Sequence, residues 1–160
     1  MVAYKTRVPA GFAGSVSRTD SLTIEQQIVD SAKPPKAFGA FAKLVSGRIQ
    51  PLEAGDAATD VYCLTVRAYP TQSVTNTFGA AEPPASGIID ILRRGYISVN
   101  LKAGTAAKNG AVYVRVAAVT GKAVGDIEAA LVANETVAVA GAYFTGPADA
   151  NGVTEIAYRI

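Results

Sequence analysis

Carboxylates are the side chains here best placed to do chemistry, because their usual partners are missing: the sequence has no histidine, and Cys63 is its one cysteine. Without histidine the commonest general base and the commonest transition-metal ligand are both gone. A Ser-His-Asp site, a Cys-His site and a zinc site are excluded on ligand count. Acids alone suffice for glycoside hydrolysis, which needs two carboxyl groups facing each other across a groove. The candidates are Glu25, Asp30, Glu53, Asp56, Asp60, Glu82, Asp90, Asp126, Glu128, Glu135, Asp149 and Glu155. Most stand beside Gly, Ala or Pro, where a carboxylate ordinarily caps a turn or ends a strand in water, and that reading outweighs catalysis. Asp56 and Asp149 are oxygen donors of the kind calcium takes, yet neither falls in the spaced Asp-x-Asp/Asn-x-Asp/Asn-Gly pattern. Gly121-Lys122-Ala123-Val124-Gly125 lacks the spacing and the Gly-Lys-Ser/Thr ending of a phosphate loop. No catalytic residue, metal or cofactor is expected, and Cys63, in an alternating apolar run, reads as a buried thiol.

A second kind of chemistry is recognition. In Asp90-Ile91-Leu92-Arg93-Arg94-Gly95-Tyr96 two adjacent arginines in an extended chain must point to opposite faces unless a bulge intervenes, and Gly95 is a natural place for one. Two readings stay open. Either one arginine lies in water while the other pairs with an acid such as Asp90, or one guanidinium docks bidentate on a partner's carboxylate, a task that suits Arg better than Lys.

The elements that must position these groups read as strands. In residues 87–101, Ile97, Val99 and Leu101 alternate with Tyr96, Ser98 and Asn100; in 111–117, Val112, Val114 and Val116 alternate with Tyr113 and Arg115. Lys108-Asn109-Gly110 lies between them, and Asn-Gly between two alternating runs predicts a hairpin. Residues 37–45, 61–69, 136–139, 142–145 and 153–160 add further strands, and 126–133 carries one or two helical turns, with Ile127 and Leu131 four apart. Residues 71–86, polar and small with Gly79 and Pro83-Pro84, form a long loop. About nine short strands separated by Gly, Pro and Asn predict an all-β domain, a single β-sandwich or barrel, with the jelly roll as one arrangement such a strand count allows. Ahead of the body, residues 1–35 read as an extended N-terminal arm, since Gly11 and Gly14 break any helix and Lys33-Pro34-Pro35-Lys36 is a stiff connection before the body of residues 36–160. Leu22, Ile24 and Ile28 share one parity of that arm and could equally form the first strand of the domain's own core.

The bulk numbers agree with a globular chain: 160 residues, 49% hydrophobic and 18% charged. A net charge of +2 is too small to hold a polyanion, so nucleic acid is not an expected partner. No run approaches the roughly 18 apolar residues of a membrane-spanning helix, and residues 1–19 lack a signal-peptide pattern. Synthesis in cytoplasm and no membrane partner are expected.

Several strings together resemble the structural cement, or head decoration, proteins of tailed bacteriophages. They are Gly87-Ile88-Ile89-Asp90-Ile91-Leu92-Arg93-Arg94-Gly95-Tyr96-Ile97-Ser98-Val99, Arg67-Ala68-Tyr69-Pro70-Thr71-Gln72, and the ending from Phe144-Thr145-Gly146-Pro147 to Tyr158. Lys102-Ala103-Gly104-Thr105-Ala106 and Val112-Tyr113-Val114-Arg115 fit the same pattern, so the likeness runs from about residue 61 to the end, with Arg18 to Glu25 fitting more loosely. None of these strings is a catalytic signature. The resemblance implies a non-enzymatic virion protein on the outer capsid surface, whose partners are the major capsid protein and neighbouring copies of itself, as dimers or trimers at symmetry axes. It implies contact regions and no active site: the arm around Arg7, Arg18, Leu22, Ile24 and Ile28, the loop from Thr71 to Phe78, and the pair Arg93 and Arg94. The competing expectation is a carbohydrate- or receptor-binding β-sandwich, which would present exposed aromatic platforms; the tyrosines instead are spread through the predicted strands, and there is no tryptophan.

Overall fold

The computed structural model describes residues 11–67 and 82–160. Runs with period-two apolar patterning become strands, because successive side chains of an extended chain point to opposite faces. Nine form among the described residues: β1 (Val16–Val29), β2 (Phe41–Val45), β3 (Arg48–Pro51), β4 (Cys63–Thr65), β5 (Ile88–Ala103), β6 (Ala111–Arg115), β7 (Ile127–Glu128), β8 (Thr136–Phe144) and β9 (Val153–Tyr158). Among the described residues the helix content is one 3-10 turn, Ala58–Asp60, where the Asp60 carboxylate accepts the Ala57 N–H. The chain is all-β, as expected.

All nine strands belong to one sheet, ordered β1-β3-β2-β4-β5-β7-β6-β8-β9, with further pairings β1–β5 and β5–β9. Those two extra pairings close the sheet twice. Ile88 to Leu92 of β5 pair with β1, and Ile91 and Leu92 also pair with β4; β3 and β2 complete a ring β1–β3–β2–β4–β5. Further along, Gly95 to Asn100 pair with β9, while Leu101 and Ala103 pair with β7. β8 and β6 complete a second ring, β5–β9–β8–β6–β7. With 16 residues, β5 is about 50 Å long, enough to serve as a stave of both.

Each ring has its own interior, and alternation along the shared strands sorts side chains between them. Val29, Ala42, Ile49, Cys63, Ile89 and Ile91, at least one from each strand of the first ring, form a small cluster. Their sequence neighbours Phe41, Leu64 and Leu92 turn the other way and join Ile97, Val99, Val112, Val114, Ile127, Phe144, Ile156 and Tyr158 in the larger core. An edge-on contact between the Phe41 and Tyr158 rings, centroids 5.8 Å apart, ties the two halves together. Where loops cross, glycine is required: a Cβ on Gly14 (φ 86) would stand 2.5 Å from the Cβ of Phe38. That approach lets Gly14 donate to the Ser98 carbonyl and accept from the Arg67 N–H, which moors the start of β1.

Three expectations change. The Asn109-Gly110 turn exists, with Asn109 at φ 63, but β5 and β6 do not pair as a hairpin. The turn instead delivers β6 to β8: Asn109 donates to the Phe144 carbonyl and Phe144 to that of Gly110. Between β5 and β6 lies β7, parallel to β5 through Leu101–Ile127 and antiparallel to β6 through Val114–Ile127. The same fact removes the helical turns expected over 126–133, because Ile127 and Glu128, both buried, are stretched out to fill that gap. Finally, residues 16–29 of the segment read as an arm form β1 within the domain's own sheet, hydrogen-bonded along β5.

Candidate functional site

The two arginines of β5 point to opposite faces. Arg93 turns toward the interior of the first ring, at its mouth: its guanidinium lies 3.5 Å from the Tyr62 ring centroid, Nη1 donates to the Tyr62 carbonyl at 2.6 Å, and Nε is 3.8 Å from a Glu25 oxygen. Its acid is thus Glu25 and not Asp90. Arg94 is exposed, opposite Thr23, and makes no ion pair among the described residues. The bulge expected at Gly95 sits in β1 instead. Register passes from Arg18–Tyr96 to Thr23–Arg94, so four β1 residues bow out against one β5 residue, with Ser21 at φ 56. Gly95 allows this because a Cβ there would meet Leu22 Cδ1 at 3.0 Å; Leu22 is therefore tucked against β5, half-buried beside the main core.

Arg18 is also committed internally. Its Nη2 lies 2.7 Å from Glu155 Oε2 and its Nε 3.2 Å from Oε1, a bidentate pair, while the guanidinium stands 4.3 Å over the Tyr96 ring. Burial by itself pushes the Glu155 carboxyl up, but hydrogen bonds from Arg18, Ser17 and Thr145 outweigh it and hold the group below the usual carboxylate range. By contrast Ile24 and Ile28, on the outward parity of β1, are 40% and 47% exposed. They are not alone. Ile88 faces Ile28 across the β1–β5 ladder and is 64% exposed; Arg48 lies beside Ile28 on the β3 side, and Val45, 38% exposed, faces Arg48. Val45, Arg48, Ile28 and Ile88 thus form one row across β2, β3, β1 and β5. Of the other residues expected at a contact, Arg7, Thr71 and Phe78 lie outside the described residues.

Several of the acids do structural work. Asp56 and Asp60 line a cavity of about 400 Å³ with Lys43, Tyr62 and Arg159. Asp56 is bound by Lys43 and by the Glu53 N–H, and Asp60 by the Ala57 N–H. Asp149 accepts the N–H groups of Asn151 and Val153, folding its own loop as Asp56 does. In the second ring Arg115 and Glu128 are fully buried, 2.6 Å apart, with Glu135 on the other arginine nitrogen and Lys122 near Glu128. Burial opposes the Glu128 charge, yet Arg115 holds its carboxyl below the usual range. Burial pushes the Cys63 thiol up to about 12, the behaviour of an inert core cysteine. No described tyrosine is exposed, and those at positions 62, 96 and 158 each have an arginine over the ring.

Comparison with known proteins places this architecture. The description XM1 gp53 minor capsid protein matches residues 1–158. The chain belongs to that family. A solved chain from the capsid of Myoviridae phage XM1 shares the fold, with a TM-score of 0.71 at 21% identity over 94% of this chain and 91% of that one. No curated protein sequence matches. A phage capsid structural role and a place in the virion follow from the family, in agreement with the resemblance to cement proteins.

For a capsid protein the relevant question is which side chains are left over after folding. Arg18, Leu22 and Arg93 are spent on internal contacts, whereas Ile24, Ile28 and Arg94 are not. The sequence does not reveal that Ile88, Val45 and Arg48 stand in one exposed row with Ile28. In Ile88-Ile89-Asp90-Ile91-Leu92 both parities are apolar, so alternation cannot say that Ile89 and Ile91 go inward and Ile88 outward; only the register with Ile28 does.

Proposed function

We propose that this capsid protein is a cement: it binds the outer surface of the head and clamps neighbouring major capsid protein subunits, without catalysis. The observation that carries the reading is the division of labour along β1 and β5. Arg18, Arg93 and Arg115 are consumed in internal ion pairs, while Ile24, Ile28, Ile88, Val45 and the unpaired Arg94 stay at the surface of a doubly closed body. A body without slack suits a clamp, because little ordering cost falls due on binding. The mechanism is mass action: a ligand that binds only the assembled shell stabilises that shell, and many symmetric copies multiply modest contacts. Ile24, Ile28 and Arg94 are the proposed contacts from the described part of the chain. Arg7, in the proposed arm, and the segment from Thr71 to Phe78 are the proposed reach onto a neighbouring subunit, and copies meet as dimers or trimers at symmetry axes.

The test is to add purified protein to heads assembled without it. Saturable decoration seen by electron microscopy, with a rise in the temperature at which heads release DNA, is the expected result. Heads that stay bare at micromolar protein would end the cement reading.

A further inference from the structure

We infer that residues 1–10 are the electrostatic anchor of the clamp, with Lys5 and Arg7 binding carboxylates of a major capsid protein subunit. The inference rests on the cement reading and names the chemistry of its arm. Charge is divided unevenly along the chain. All 13 acids lie in the described residues, as do all the Lys and Arg residues except Lys5 and Arg7. The body is therefore formally neutral, and the whole net charge of +2 falls in the first ten residues. Residues 68–81, the other segment proposed to reach a neighbour, carry no charge. In the body Arg18, Lys33, Lys43, Arg93, Arg115 and Lys122 each face a carboxylate of the chain itself. The acid nearest in sequence to Lys5 and Arg7 is Asp20, well beyond the helix-breaking Gly11 and Gly14.

An anchor must pass load to the body, and the root of this one is fastened for that. Gly14 donates to the Ser98 carbonyl and accepts from the Arg67 N–H, both at 2.8 Å; Ser98 donates to the Ser15 carbonyl, and Arg67 Nε to that of Ala13. These bonds tie residues 13–15 to β5, the strand shared by both rings. Just outside them stands Phe12, 75% exposed. Further out, Val2, Tyr4 and Val8 fall on one parity and Lys5 and Arg7 on the other, so the segment laid out as a strand has an apolar side and a basic side. The net charge also selects the partner. A second copy offers a formally neutral body and an equally basic arm, hence no net negative field. An acidic surface on the shell supplies one, and carboxylate is the group that a guanidinium binds in bidentate fashion. Such a tethered pair of cations speeds encounter and fixes orientation.

The experiment measures binding to heads assembled without this chain, for the intact protein and two double variants with the same change in charge. Lys5→Glu with Arg7→Glu reverses the arm; Lys102→Glu with Lys108→Glu, at exposed body positions, is the control. Both are expected to unfold at the temperature of the intact protein. At physiological salt, where charges more than about 8 Å apart are largely screened, the arm variant is expected to bind heads at least about tenfold more weakly and the control to bind as the intact protein does. Rising salt weakens the intact protein and the control, and not the arm variant. Carbodiimide, which joins an amine to an adjacent carboxylate with loss of water, is expected to link Lys5 to an Asp or Glu of the major capsid protein on decorated heads. Equal weakening of the two variants, or of neither, overturns the inference and leaves the cement reading standing, and so does a Lys5 link to a second copy. Intact protein that leaves heads bare at every salt concentration ends the cement reading itself, and the inference with it.

Discussion

The two rings share β5 yet solve opposite problems. The first closes around six small or branched apolar side chains, keeps the part-exposed Arg93–Glu25 pair at its mouth, and leaves an apolar row outside. The second has most of the large core and still buries Arg115 against Glu128, with one guanidinium nitrogen, Nη2, lacking a hydrogen-bond partner among the described residues. A buried ion pair is weak as a source of stability but expensive to break, so it serves to fix β6 against β7 and the segment carrying Glu135. Among the described residues the first ring has no fully buried ion pair: Arg93 and Glu25 both stay partly in water, and apolar side chains remain exposed on its outside. The lesson is that the second ring is specified by a buried ion pair, whereas the first is closed by apolar packing and leaves Ile24, Ile28, Ile88 and Val45 exposed.

The strongest way to break this contrast is to remove one half of the lock. Glu128→Ala leaves the buried Arg115 with the part-exposed Glu135 as its remaining carboxylate and should cost about 3 kcal/mol in urea unfolding. An effect below about 1 kcal/mol would mean that the pair is solvated and the rings differ less than described. In the first ring Ile91→Ala removes a fully buried branched side chain and should cost about 3 kcal/mol, with the second-ring core unperturbed by NMR. A smaller effect comes from pH. Glu155 and Glu128 are both held below the usual carboxylate range, so the stability they contribute is present above that range and is lost as pH falls through their lowered values. Because Arg18 is half exposed, its share is under about 1 kcal/mol, and Arg18→Met should flatten the acid limb of a melting-temperature profile only slightly. The smallest effect sharpens the comparison most: Ile88→Ser, a change at an exposed strand position, should move stability by no more than about 0.5 kcal/mol, although it sits one residue from the buried Ile89.

How far the sequence was legible follows from the range of the forces involved. Ile97, Val99 and Leu101 alternate with polar neighbours, and that local signal placed the second half of β5 correctly. Cys63 was read as buried and lies in the first-ring cluster. The Asn109-Gly110 turn was also seen, but a turn states only that the chain reverses, and the strand that fills the space beside β5 comes from Ile127, beyond β6. With two residues, β7 has too little length to show any period. For the exposed row, parity singles out Ile24 and Ile28 but does not separate them from a core strand, and it sends Arg93 and Arg94 to opposite faces without saying which finds an acid.

Taken alone, the amino-acid sequence determined that the chain is all-β, that histidine-dependent chemistry is impossible, and that adjacent arginines in β5 diverge. These follow from residue type and from the two-residue period of an extended chain, which act over neighbouring positions. The tertiary structure decided the double closure on β5, the pairing of Arg93 with Glu25, and the outward row of Val45, Arg48, Ile28 and Ile88. Each of these depends on register between strands far apart in sequence, and a slip of one residue would turn every side chain of a strand to the other face.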